Sequence, residues 1–319
     1  MCLNTPVGNI DMALMKHKIE LFPKVSVITP SFNQGKYLRE APQSVVDQRY
    51  PELELIVIDG GSTDDSVAVI ESFADSIHYW VSEKDDGQSH AINKGFEKAT
   101  GDIICWLNSD DVFLPGALNA VAYFFEKNPD WRWLSAPSPK FGESQHVLDG
   151  IYEPPKKKLE WLLHCPISQP STFWRRSLYD KHGGLDQEFH FALDYEYWIR
   201  FIFGEEELHF INRPLSAYRL HDVSKTVAQS EMFRGEEMRI REKYKDKMSP
   251  SEWDRLTRLL ARTVDMDAFS DAVKLLEEGR RDEALKSTLS ILKRNPALLL
   301  TRTGAASLYR VLANKRRYT

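Results

Sequence analysis

The sequence predicts an α/β protein, a mostly parallel sheet flanked by helices, followed by a helical C-terminal extension. Three observations carry this. Short apolar runs alternate with helical patterns from residue 24 to about 136, two of those runs end in acidic turns that open the next helix, and after His221 the pattern is helical. Strands joined in turn through helices run parallel and are covered on both faces.

Taken in order, strands are expected at 24–29, 53–58, 77–81, 103–107 and 131–136, with helices at about 36–47, 64–74, 88–99 and 116–127. From 137 to 224 the chain is irregular and aromatic, with one clear helix at 194–203, and reads as a wall laid against the sheet. A helix at 225–244 follows. Ser249 and Glu252 then fit a capping box with Pro250 in the first turn. Residues 279–296 look like one helix of a helical-repeat hairpin. The expected organisation is a lead-in at 1–23, a nucleotide-binding domain at 24–226 and a helical region at 227–319.

With 319 residues, 42% of them hydrophobic, the chain can bury a sizeable core. Lys and Arg number 42 against 47 Asp and Glu, a net charge of -5 that argues against a nucleic-acid partner. Cys2, Cys105 and Cys165 form no CxxC pair, so no zinc site or disulfide framework is expected and a reduced, cytoplasmic compartment is. Asp11, Lys16 and Lys18 argue against a signal peptide, and no run nears the roughly 18 apolar residues of a membrane span. Residues 280–319 carry ten Lys and Arg against two Asp and Glu. With Leu298–Leu300, Leu308, Val311 and Leu312 on an apolar side, this segment suits either an anionic membrane surface at the inner face of the cell or ordinary docking on Leu285, Leu289 and Leu292.

Asn108, Ser109, Asp110 and Asp111 follow one apolar strand, and Asp59 to Asp65 follow another. Adjacent carboxylates at a strand's carboxyl end suit a hard divalent cation and a phosphate ester. Either turn alone could be a solvated helix cap. Two together imply one shared crevice. Asp265 and Asp267 also spell DxD, but on a helical stretch that reads as a solvated face.

These residues belong to a longer series: TPSFN at 29–33, DGGSTDDS at 59–66, SEKDDGQSHAINKG at 82–95, WLNSDD at 106–111, QPSTFW at 169–174, LDYEYW within 185–200 and YRLHDVSKT at 218–226. The series resembles the successive nucleotide-sugar motifs of family 2 glycosyltransferases of the bacterial polysaccharide type. The resemblance implies a GT-A fold and inverting transfer from a nucleoside diphosphate sugar, UDP-sugar favoured, to a hydroxyl of a glycan or lipid-linked acceptor. The alternative is a GT-A-like protein that binds nucleotide sugars without catalysis and recruits partners through its helical end. A nucleotidyltransferase is disfavoured, because no Gly-rich, Arg-containing loop follows the first strand.

By the same resemblance, Thr29, Pro30, Ser31, Asn33, Asp59, Ser62, Asp86, Asn93 and Asp110 would contact the donor. Asp111 and His221 would hold Mn2+ or Mg2+, and Lys225 would neutralise phosphate. Asp194 would be the general base that an acceptor hydroxyl needs. Trp174 and Glu196 would face the acceptor, although Glu196 could instead pair with Arg200 one helical turn on. Two positions depart from the family pattern: Asn108, where Asp is frequent, and Leu193, where a Glu usually precedes the base.

Overall fold

Strand β1 (Val25–Ser31) is buried along its whole length and β2 (Leu53–Asp59) along nearly all of it, which is why both read as continuous apolar runs without alternation. They join β3 (Tyr79–Ser82), β4 (Ile103–Trp106), β6 (Trp133–Ser135), β8 (Thr172–Arg175) and β9 (Leu208–Phe210) in a seven-stranded sheet of order β3-β2-β1-β4-β8-β6-β9. The computed structural model describes residues 22–142, 155–221 and 230–296, with Tyr309.

Register sets the site. Ser31 pairs with Asp59 and Asp59 with Ser82, so β1, β2 and β3 end level, while Leu107 N–H bonds Ile28 just past β4. Both acidic turns therefore open at one edge. Strand β8 runs antiparallel to β4 and β6. Its beginning consequently lies where the parallel strands end, and residues just before it reach the same edge. The segment expected to be a wall thus supplies two strands of the main sheet. It also supplies two strands of a small second sheet, in which β10 (Ser216–Leu220) lies between β5 (Val112–Phe113) and β7 (Lys140–Gly142). Because β5 directly follows Asp111, its pairing with β10 carries the 218–221 segment to the Asp110–Asp111 turn.

The helices in chain order are α1 (Gly35–Leu38), α2 (Glu40–Val46), α3 (Ser66–Glu71), α4 (Gln88–Lys98), α5 (Ala117–Lys127), α6 (Lys158–Trp161), α7 (Arg176–His182), α8 (Leu193–Phe203) and α9 (Ser230–Lys243). The single helix expected at 36–47 is two short ones. Pro42 has no N–H for the carbonyl of Leu38, so the ladder breaks there. Under α8 lies a core of large rings in which Trp174 has no exposed surface, its centroid 5.6 Å from those of Trp106, Tyr197 and Trp198. The expectation that Trp174 walls the acceptor is therefore corrected. It sits on a central strand beneath a covering helix.

The chain divides into two compact units, Met1–Lys243 and Tyr244–Thr319. The first runs past the expected boundary at 226 because α9 is bonded into it: Arg241 Nε donates to Leu162 O at 2.7 Å and Lys243 Nζ to Glu196 at 2.8 Å. In the second unit α10 (Pro250–Glu277) opens with the Ser249–Glu252 capping box, and α11 (Arg281–Arg294) folds back so that Phe269 packs with Ile291. Asp265 is no solvated face. It is buried, accepting bonds from Arg294 and Asn295 at the far end of the hairpin. Residues 297–308 and 310–319, and Lys225, lie outside the described residues.

Candidate active site

A cleft of about 1380 Å³ opens over the ends of β1, β2 and β4. Its first wall is the turn after β2. Asp59 accepts the N–H groups of Gly61 (3.1 Å) and Ser62 (2.8 Å) and the hydroxyls of Ser62 and Ser82 (both 2.6 Å). It has no exposed surface. The expected contact of Asp59 with base or ribose is corrected accordingly: its carboxylate is spent on shaping the turn. Ser62 and Asn33 do the same work, Ser62 Oγ accepting Asn33 N–H at 2.7 Å and Asn33 Oδ1 accepting Thr63 N–H at 2.8 Å. Pro30 and Ser31 line the cleft, and Ser31 Oγ is buried with no hydrogen-bond partner among the described residues. Thr29, two residues back along β1, is wholly buried.

At the start of α4 the expected residue is displaced by one. The Asp86 side chain is 85% exposed, and it is Asp85 that lines the cleft, its Oδ1 accepting Gly87 N–H at 2.9 Å. A Cβ at Gly60 would stand 2.7 Å from Asp85 Oδ2, so a side chain there would displace the Asp85 carboxylate. Asn93 is also corrected. It clamps Leu185, donating to its carbonyl at 2.9 Å and accepting its N–H at 2.7 Å, and does not line the cleft.

The turn after β4 is organised by Asn108. Its Nδ2 donates to Asp111 Oδ2 and to Gln169 Oε1, both at 3.1 Å, while its Oδ1 accepts Gln88 Nε2 at 2.9 Å. Gln169 arrives through the reversed strand β8 and bonds Trp106 O at 2.8 Å. From the other side Arg219 donates its N–H to Asp111 Oδ1 (3.0 Å) and its Nε to Asp110 O (3.2 Å), with its guanidinium over the rings of Tyr37 and Phe141. His221 Nε2 lies 3.0 Å from Asp110 Oδ2, its ring stacked on Tyr37. Asp111 is 4% exposed, and burial, with the Asp110 charge beside it, pushes its carboxyl well above the usual range.

A cation would relieve that pair of acids. Among the described residues no three His, Cys, Asp or Glu side chains form a group able to hold an ion alone. The donor set fits an ion held by one or two carboxylates and completed by a diphosphate, the usual arrangement for Mg2+-like ions. His221 is bonded to Asp110 and stands beside such an ion's carboxylates.

Across the cleft, Asp194 stands in the first turn of α8, half-buried, its Oδ1 accepting Tyr195 N–H at 2.8 Å. Burial raises its carboxyl to about 6. Glu196 is absent from the cleft, and its expected acceptor role is corrected. Two residues along a helix turn a side chain about 200° away, and Glu196 lies fully buried between Arg200 and Lys243. Asp85, Gln88, Gln169 and Arg219 were not singled out in the sequence, although each falls within one of the quoted motifs.

The site is one cleft in which acidic turns at the ends of a mainly parallel sheet face the half-buried Asp194 carboxylate. The chain matches the structure of TarS from S. aureus with a TM-score of 0.60 and 20% identity, over 93% of this chain and 56% of that longer one. TarS 1-349 with UDP-GlcNAc gives 0.56 at 18% identity, over 91% of this chain and 80% of that one. The mannosyltransferase PcManGT of Pyrobaculum calidifontis, with GDP-Man and Mn2+, gives 0.55 at 16%, over 92% and 87%. These likenesses establish the GT-A fold. An uncharacterized glycosyltransferase of Mycobacterium tuberculosis is 37% identical over 187 residues, 56% of this chain and 68% of that protein. The family described as Glycosyl transferase family 2 matches residues 26–183. The chain belongs to this family of glycosyltransferases.

Proposed function

We propose that the chain moves a sugar, with inversion, from a nucleoside diphosphate sugar to a hydroxyl of a glycan or lipid-linked acceptor, Asp194 taking the hydroxyl proton. The supporting observation is one cleft holding a half-buried carboxylate near 6 on one wall and the Asp110–Asp111 turn on another. A base with that proton affinity is ionised at neutral pH yet close to it, the condition for efficient proton transfer. Crystals of TarS 1-349 with UDP and with UDP-GlcNAc support a UDP-sugar donor.

In this reading Ser31 Oγ, the Gly60–Gly61 backbone and Asp85 receive the nucleotide, and Asp110 the donor's ribose or sugar. Asp111, with Asp110 and His221 beside it, would hold Mn2+ or Mg2+, which when bound neutralises charge building on the leaving diphosphate. Arg219 adds a fixed positive charge at the same turn. Residues 24–243 are the catalytic part, α9 included. No helix among the described residues is long and apolar enough to cross a membrane, and we place the protein in the cytoplasm with the basic segment 280–319 against anionic lipid.

A panel of nucleoside diphosphate sugars, with and without Mn2+, tests this by thermal shift and by donor hydrolysis. One base should stabilise the protein and be turned over. Stabilisation without turnover of any sugar would leave a binder only.

A further inference from the structure

Helix α9 lies beyond the matched family segment, yet it builds one end of the cleft. Glu236, 7% exposed, accepts the N–H groups of His190, Phe191 and Ala192, each at 2.8 Å. Three charge-assisted bonds to consecutive amides pin the backbone that leads into Asp194. They also fix two rings, because Phe233 stands one turn before Glu236 on α9 and meets Phe191 edge to face with centroids 5.7 Å apart. Both rings are half-buried and line the cleft, as do Pro166, Ile167 and Asp194.

Charge separates this end from the rest. Among the described lining residues Lys84 and Arg219 are the only Lys or Arg. Lys84 packs its backbone on Gly61, and Arg219 is bonded to the Asp110–Asp111 turn. Both therefore belong to the donor side. Among the described residues the acidic groups at this end are Asp194, which lines the cleft, and Glu236 and Glu237 of α9. A phosphate there would meet no Lys or Arg among the described lining residues and would be repelled by these carboxylates. A sugar ring has an apolar C–H face for the aromatic rings and hydroxyls for the carboxylate.

Resting on the transfer reaction proposed above, we propose that the Phe191–Phe233 clamp is the acceptor subsite and that it takes the ring of an uncharged sugar, presenting one hydroxyl to Asp194. A polyprenyl phosphate is not its acceptor. An uncharged terminal sugar of any glycan fits.

The test uses the full-length protein with UDP, its affinity for which is first measured by calorimetry. Methyl glycosides of the common hexoses and N-acetylhexosamines, and decaprenyl phosphate in detergent, are then compared by saturation-transfer NMR. At least one methyl glycoside should bind through its ring protons. Phe233→Ala, and Phe233→Leu, which keeps apolar volume without the ring, should each weaken it by about tenfold, the scale of a lost aromatic contact. UDP affinity should stay at the wild-type value, and both variants should remain folded. Overturning results are no glycoside binding by a protein that binds UDP, wild-type glycoside binding by folded Phe233 variants, or decaprenyl phosphate displacing the glycoside. Failure to bind UDP or any other nucleoside diphosphate would instead count against the transfer reaction.

Discussion

Asn108 Nδ2 donates to Asp111 Oδ2 at 3.1 Å, an amide holding a buried carboxylate. The amide also bonds Gln88 and Gln169, so three motifs far apart in sequence meet on one side chain. Asn108→Asp would replace two donated hydrogen bonds with repulsion against Asp111 and Gln169 Oε1. Loss of stability by about 1–3 kcal/mol is expected, growing from pH 5 to pH 8 as the new acid ionises. Thermal melts across that range check it. Unchanged melting would mean that Asp111 does not depend on the amide.

Asp85 and Asp86 make a matched pair for the donor side. Asp85→Ala should reduce UDP affinity by about 1.5–3 kcal/mol, the scale of a hydrogen bond to a charged group. Asp86→Ala, removing a solvent-facing carboxylate, should leave it alone. Calorimetry on both variants decides. A larger loss in Asp86→Ala would show that the 82–95 segment binds donor in another conformation.

Asp194→Asn should slow transfer by roughly 10²- to 10⁴-fold, the loss typical of a general base, with donor affinity unchanged. Because burial raises its carboxyl to about 6, kcat/KM of the natural protein should fall as pH drops through 6, and the variant should lose that limb. The stability sign is opposite. A carboxyl whose folded value lies above its unfolded one is held more tightly as the acid in the folded state, so its contribution declines as pH rises from about 4 to 6. At pH 7 the variant should therefore melt no lower than the natural protein. Glu196→Gln loses charge from its buried bonds with Arg200 and Lys243, and should lower the melting temperature ahead of the transfer rate.

Asp265→Ala removes the acceptor shared by Arg294 and Asn295 in the C-terminal hairpin. Faster hydrogen exchange in α10 and α11, equivalent to about 1–3 kcal/mol, is expected with UDP affinity unaffected. Loss of metal-dependent donor binding in this variant would overturn the purely structural role given to Asp265.

Deleting 297–319 should cut sedimentation with anionic vesicles at low salt and spare donor hydrolysis, since each basic residue near such a surface is worth about 1 kcal/mol. A full-length protein that ignores these vesicles would assign the tail to packing.

What the sequence by itself determined is local in origin. Continuous apolar runs marked β1, β2 and β4, acidic residues marked the turns at their ends, and Ser249 with Glu252 marked the start of α10. Strand period, turn chemistry and capping are written within a few neighbouring residues, so they are legible in order. The tertiary structure decided which side chains of those motifs face the cleft. Trp174 went to the core because β8 is reversed into the middle of the sheet, and Asp59 turned inward because four donors surround it. Asn108 meets Gln169 across 61 residues and Asp111 meets Arg219 across 108. The face a residue presents depends on strand order and on partners that distant, and a local pattern holds no information about either.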